Sequence, residues 1–489
     1  MSSEKAPTTQ ELVLSNVLVL VLAQAIVTPL SVLTNMVMGR YLGPREFGHL
    51  YLATTTSSCA FLFVDWGTGA TVPGHIAKDR SRVGELVGTT ILWRVVASAV
   101  IGGVVVLGSW VFGSPEDLRF ALGLVLLVAA VSTIASLCQD TARGFERTDV
   151  TAYASVGGQL LICVLVIPTL VLGGHLRAAL LAQLAACTVV LAVLWRFIRP
   201  TVGVLSFRAD TLRALLREGS AFLVFGIAMV LQPYIDATFL SAFAPAEAVG
   251  WFAAAKRLVG VLVYPGAAMI SGLYPTLCRL HAHDAEGFRS TVQGGLRSAM
   301  LIVVPATLGC VLYPDVGIRI FGREAFGPAQ TDLRFLGPFV FLVYFSMVLG
   351  IALLAAGRSR AWAAVQFVCV IVSLVGDPLL VPWFQKHSGN GGLGICVSNV
   401  ASEALMVAGG IWLTVPGVFD RALWRKLALV LPAAAAMTAV ARVLWRIPPL
   451  VAAPISVAAY VVCLWLTGGI TRDDVQKIGA TLGRKLRRR

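Results

Sequence analysis

Fourteen mostly apolar stretches, most of them 20 residues or longer, follow one another through this chain, separated by short polar segments. A run of about 20 such residues is long enough to cross a hydrocarbon core of roughly 30 Å as a helix. Composition agrees: 57% of residues are hydrophobic, 13% are charged, and the mean hydropathy is +0.82. A soluble domain carries about 25% charge, so this chain lacks the polar surface to stay dissolved. Barrel strands would alternate apolar and polar residues over about 10 positions, and these runs do not. The expectation is an all-α polytopic membrane protein with about 14 transmembrane helices, the first over about 12–38 and the two shortest last, at 427–445 and 450–468. No cleavable signal peptide is evident, since the first apolar run is too long for one.

A faint internal repeat organises these spans. Asn35 and Asp236 are 201 residues apart, as are Pro44 and Pro245, while Gly48 to Gly250 and Pro73 to Pro275 are 202. Each copy sits where one apolar segment ends and the next begins. Duplicated membrane units are a transporter signature, because two similar lobes can rock around a shared site. Six spans per copy keep the same orientation, which implies a pseudo-two-fold axis along the membrane normal. The domain reading is a six-helix lobe over 1–198, a cytoplasmic amphipathic linker over 199–219 and a second six-helix lobe over 220–415. Two extra helices over 416–468 and a basic cytoplasmic tail over 469–489 complete it. In the linker, Leu205, Phe207, Leu212, Leu215 and Leu216 alternate with Arg208, Arg213 and Arg217, a pattern suited to a helix lying on the membrane face.

With the N-terminus inside, 25 Lys and Arg fall in cytoplasmic segments and 11 on the other side. This bias predicts cytoplasmic N- and C-termini in a multi-pass protein of the cytoplasmic (inner) membrane. The net charge of +14 is then mostly topogenic and points to no nucleic acid. The Arg484–Arg489 run suits contact with anionic membrane lipids. The nine cysteines form no CxxC pair and mostly fall in apolar spans, where they read as small buried hydrophobes.

Several short motifs, in order and between the right spans, resemble a known family. Gly39-Arg40-Tyr41-Leu42-Gly43-Pro44-Arg45-Glu46-Phe47-Gly48 is similar to the R-x-L-G-x-x-x-F-G signature of bacterial polysaccharide (oligosaccharide) flippases. These belong to the multidrug/oligosaccharidyl-lipid/polysaccharide exporter superfamily. Asp65-Trp66-Gly67 resembles the family's D-x-G, and Arg143-Gly144-Phe145-Glu146-Arg147 its R-G-x-x-R loop. Asp236 followed by Val249-Gly250-Trp251-Phe252-Ala253-Ala254-Ala255-Lys256-Arg257 resembles its D…V-G-x-Y-x-A-A-x-R stretch, with Phe252 in place of Tyr. The likeness covers about residues 12–415.

The resemblance implies a flippase that moves an undecaprenyl-diphosphate-linked oligosaccharide repeat unit across the cytoplasmic membrane by alternating access, for surface polysaccharide biosynthesis. Polysaccharide polymerase and glycosyltransferases are the implied protein partners. The lipid II flippases of the superfamily carry arginines within the first helix. Thr28 and Thr34 stand at those places here, which weighs against lipid II as the substrate. A multidrug or cation antiporter of the same superfamily is the other alternative. An enzyme would call for an acidic metal-binding cluster or a large outer loop, and neither is evident.

A charged sugar-diphosphate head needs a wet, polar pathway, since burying even one charge costs several kcal/mol. Gln24, Thr28, Ser31 and Asn35 step by 4, 3 and 4 and share one helix face. They read as cavity lining, with Gln232 beside them from the second copy, or else as interhelical hydrogen-bonding glue. Arg94 either meets the substrate diphosphate or pairs with Asp65. Asp236 is an intramembrane carboxylate, costly and usually paired or functional. It is expected to pair with Arg40, Lys256 or Arg257 at an outer gate, to hold a coupling ion, or to form a structural pair. Asp377 and Glu403 are mid-span carboxylates that either bind a driving cation or pair structurally. No cofactor or metal is expected beyond a Na⁺ or H⁺ gradient as driving force.

Overall fold

The computed structural model describes residues 9–322 and 324–468, and among these every regular element is a helix. The basic tail and Arg323 lie outside the described residues. Among the described residues, twelve helical segments are long and apolar enough to cross a membrane. The chain divides into two compact units, Met1–Gly250 and Trp251–Arg489.

In the first unit, α1 runs from Thr9 to Asp65, 57 residues. Straight, it would be about 85 Å long, nearly three hydrocarbon thicknesses. It is broken at Gly43, whose φ of 71° and ψ of 174° lie in a region open only to glycine, so it forms two limbs, each long enough for one crossing. Pro44 follows at once and starts the second limb, where its missing N–H is no loss. The apolar pattern places the second crossing at about 50–72. It instead starts directly after Gly43, because the Gly-Pro step turns the chain without a loop.

The remaining helices of this unit are α2 (Thr68–Lys78), α3 (Val83–Val111), α4 (Glu116–Gly144), α5 (Thr148–Val171), α6 (Leu176–Val202) and α7 (Ala209–Phe243). Counting the two limbs of α1 separately and adding α7 at 35 residues, fourteen segments among the described residues have the length of a crossing. An apolar cluster of Ile76, Leu86, Leu137, Ile198 and Leu215 ties α2, α3, α4, α6 and α7 together.

The separate amphipathic linker helix expected over 199–219 does not form. Helix α6 continues to Val202, Gly203 (φ 67°) stops it, and α7 begins at Ala209. Between them the backbone is strapped along the start of α3, with Ser206 N–H donating to Gly84 O and Arg208 N–H to Thr89 Oγ1. The amphipathic pattern reflects the first turns of α7, where Leu215 is buried in the cluster.

Helix α8 (Ala246–His283) opens at the end of the first unit and continues into the second. The second unit then holds α9 (Ala285–Leu312), α10 (Pro314–Ile318), α11 (Ala329–Ala355), α12 (Ser359–Ser388) and α13 (Gly392–Leu413). Helices α14 (Arg421–Ala428), α15 (Val430–Val443) and α16 (Pro449–Leu466) complete it. Helix α11 lies between α9 and α13, α12 packs on α13, and α15 and α16 pair and lean on α9.

Candidate functional site

The first limb of α1 presents two distinct faces. Ala23, Thr34 and Met38 are buried, and Thr34 meets Cys163 and Gln159 of α5. The predicted polar stripe lies one residue on, about 100° round the helix, and escapes that packing. Gln24 is exposed, and Thr28, Ser31 and Asn35 are half-buried. The stripe is internally bonded: Gln24 Nε2 donates to Thr28 Oγ1 at 3.0 Å, and Asn35 Nδ2 to Ser31 O at 2.8 Å. Gln232 on α7 is half-buried and Asp236 is 1% exposed.

At one end of this unit the two repeat-related corners interlock. A Cβ on Gly48 would lie 2.1 Å from Ala246 O, and one on Gly250 would lie 1.9 Å from Pro44 O. Both neighbours are backbone, so neither position admits a side chain as the corners stand. Each repeat glycine rests on the other copy's proline corner. Glu46, from the same signature, accepts the Leu176 N–H at 2.9 Å and lies 3.3 Å from His175, tying the corner to the start of α6. Arg40 is exposed just before the turn.

A second close approach joins the far end of α1 to the start of α7. A Cβ on Gly67 would fall 2.3 Å from Gly219 O, and one on Gly219 would fall 2.1 Å from Trp66 O. Trp66 Nε1 donates to Leu216 O at 3.1 Å, and His75 Nε2 sits 2.8 Å from a Glu218 carboxylate oxygen. The start of α7 is thus clasped to α1 and α2, while the start of α8 rests on the Gly43–Pro44 corner of α1.

Arg94 lies beneath this second clasp and has no exposed surface. Its guanidinium donates to Asp65 at 2.5 Å, to Thr68, to Thr133 O and to Ser136, and stands 3.9 Å from Asp140. Arg94 therefore lines no cavity in this structure. Its donors are spent on protein acceptors, so the substrate-contact reading is corrected in favour of the Asp65 pair. Asp140 also holds Arg143 of the R-G-x-x-R loop at 3.2 Å. Gly144 of that loop presses on Ile76, where a Cβ would meet the side chain at 2.7 Å.

In the second unit Lys256 sits 4.4 Å from the centroid of the Phe339 ring. Glu403 is buried on α13 and accepts from Ser346 of α11. Asp377 on α12 has no exposed surface, and Arg257 is exposed. Ser373, Ser398, Asn399 and Ser402 are buried on the same two helices, making a polar seam between α12 and α13. Sequence reasoning misses Asp140 and Asp332. Asp332 is fully buried and accepts from Asn390 Nδ2 at 2.8 Å. It also misses the glycine contacts, although the repeat marks Gly48 and Gly250 as a pair.

Comparisons with known proteins come from sequence and from structure. The family model described as "Polysaccharide biosynthesis protein" matches residues 13–281. A protein of Haloferax volcanii described as a "probable low-salt glycan biosynthesis flippase" is 22% identical over 70% of this chain and 72% of its own length. The fold is similar to that of the lipid II flippase MurJ in an inward closed conformation, with a TM-score of 0.68 at 12% identity, covering 91% of this chain and 98% of that one. It is also similar to an inward-facing multidrug resistance transporter of the MATE family, with a TM-score of 0.63 at 17% identity, over 79% and 94% of the two chains.

Proposed function

Since the chain belongs to the polysaccharide biosynthesis protein family, matched over more than half its length, we propose that it is a flippase for a lipid-linked oligosaccharide. It is a multi-pass membrane protein whose fold is shared by glycan flippases and by multidrug transporters, so the fold alone does not choose between them. The family match and the glycan-flippase relative favour a glycan cargo. The cargo proposed is an undecaprenyl-diphosphate-linked repeat unit, moved from the cytoplasmic to the outer leaflet of the cytoplasmic membrane. In this reading both termini are cytoplasmic, as the Lys and Arg bias supports.

The observation that carries alternating access is the reciprocal packing of Gly48 and Gly250. Two repeat-related corners that touch through bare backbone can part without breaking a side-chain network. They form the outer gate, and the Gly67–Gly219 clasp forms the inner one. The Gln24, Thr28, Ser31 and Asn35 face, with Gln232, gives the sugar head a polar track between them, while the lipid tail stays in hydrocarbon. Asp236 and Asp377 are the coupling groups for a Na⁺ or H⁺ gradient. Arg40 and Arg257, exposed, attract the anionic head at the outer side.

Deletion of the gene tests the function. Lipid-linked oligosaccharide accumulates in the cytoplasmic leaflet, and surface polysaccharide is lost. Normal surface polysaccharide in the deletion strain, with no redundant flippase present, rejects the reading.

A further inference from the structure

A groove of about 490 Å³ runs along the outside of the first unit between α5 and α6, away from the α1 stripe. Its floor and walls are apolar: Leu161, Val189, Val193 and Leu194, opened by the adjacent glycines Gly157 and Gly158. The helices come closest at Gly158, where a Cβ would lie 3.3 Å from Val190, while Gly157 faces open space. Polar groups gather at one end only. Arg147 and Asp149 stand there 3.4 Å apart, with Arg147 4.7 Å above the Phe197 ring. Tyr153, 75% exposed, lies just below them as an interfacial aromatic does. The last turns of α6 add the exposed Arg196 and Arg199 beside Phe197.

The groove has the polarity of an amphiphile. From Asp149 to Leu161 it descends about 18 Å at 1.5 Å per residue. One leaflet of a roughly 30 Å core is about 15 Å deep. An acyl chain of a single leaflet fits that depth, whereas a long polyprenyl chain would run past Leu161. Arg147 and Asp149 line the mouth, and around it the exposed Arg196 and Arg199 outnumber the exposed Glu146; arginine binds phosphate oxygens bidentately. The Arg147–Asp149 pair is surface-exposed and weak, so a phosphate competes with it readily. We propose that the α5–α6 groove is a binding site for an anionic diacyl phospholipid, its phosphate at Arg147 and one acyl chain along Gly157 and Gly158. With the N-terminus inside, this is a lipid of the cytoplasmic leaflet.

The test uses the full chain in nanodiscs with phosphatidylglycerol or phosphatidylcholine bearing a photoactivatable acyl chain, and maps the crosslinked residues by mass spectrometry. Phosphatidylglycerol labels 153–161 and 189–197 about tenfold more than phosphatidylcholine, whose choline cation cancels the phosphate charge at the arginine-bearing mouth. Arg147→Gln abolishes that preference while labelling persists. Gly157→Leu, which meets no clash at its Cβ, removes labelling by both lipids. Equal labelling of the wild-type groove by the two lipids overturns the proposal. So does displacement of phosphatidylglycerol by an equimolar polyprenyl diphosphate, which would assign the groove to the transported lipid.

Discussion

At the scale of the residue, Arg94 shows how a charge is kept inside a membrane protein. Its fully buried guanidinium bridges Asp65 on α1, backbone and hydroxyl acceptors on α4, and the edge of Asp140. Removing one partner of a buried ion pair costs about 3–5 kcal/mol, because the remaining charge is left uncompensated. Arg94→Met should therefore lower the thermal unfolding temperature in detergent markedly. Adding Asp65→Asn and Asp140→Asn to it should recover most of the loss. A single Arg94→Met variant as stable as the wild type would show that the three groups are not energetically linked. Gly43→Ala isolates a different effect. Its Cβ would meet nothing within 4 Å, so the penalty is backbone strain alone, about 1–3 kcal/mol. Equal stability of that variant would mean that the α1 turn does not need glycine. The Asp65–Arg94 pair is legible in the sequence because each residue sits one turn or two from a span end. Asp140 is not, since its role follows from how α4 crosses α3, which no spacing along the chain encodes.

At the scale of the element, the corner holds α8 against α1 and the clasp holds α7 against α1 and α2. The contacts of Gly48 and Gly250 are to carbonyl oxygens, and backbone cannot rotate aside as a flexible side chain would. Gly250→Ala should therefore force the corner, the outer gate in the proposed orientation, apart. With the native cysteines replaced, a cysteine at Asn35 should react several-fold faster with a membrane-impermeant thiol reagent added outside, while net flipping falls. Unchanged labelling and flipping in Gly250→Ala would remove the corner from the gating scheme. The repeat makes these corners legible, because spacing along the chain alone aligns Pro44 with Pro245 and Gly48 with Gly250. The 199–219 segment resists such a reading for a physical reason. A helix lying on a membrane surface and the first turns of a crossing helix both need one apolar face, so periodicity alone cannot separate them. What separates them is Gly203, which ends α6, and the hydrogen bonds that bind 206–208 to α3.

At the scale of the whole molecule, the proposed direction of transport agrees with charge and potential. A diphosphate-linked head carrying about two negative charges gains roughly 4–5 kcal/mol per 100 mV when it leaves a negative interior. The proposed export is thus downhill in the membrane potential even before any ion is coupled to it. A coupling carboxylate adds a second dependence, on the chemical gradient of the cation it binds. Asp377, with no exposed surface on α12 and with Ser398 and Ser402 buried on the facing α13, is the candidate of the second unit. The two dependences separate in proteoliposomes containing a fluorescent lipid-linked oligosaccharide. Collapsing the potential with valinomycin and equal potassium should slow flipping in both wild type and Asp377→Asn. Imposing a Na⁺ or proton gradient at zero potential should restore flipping in the wild type and leave Asp377→Asn slow. If the variant responds to the imposed gradient as the wild type does, Asp377 is not the coupling group. If neither gradient moves the wild type at zero potential, the cargo's own charge is sufficient and no cation is coupled.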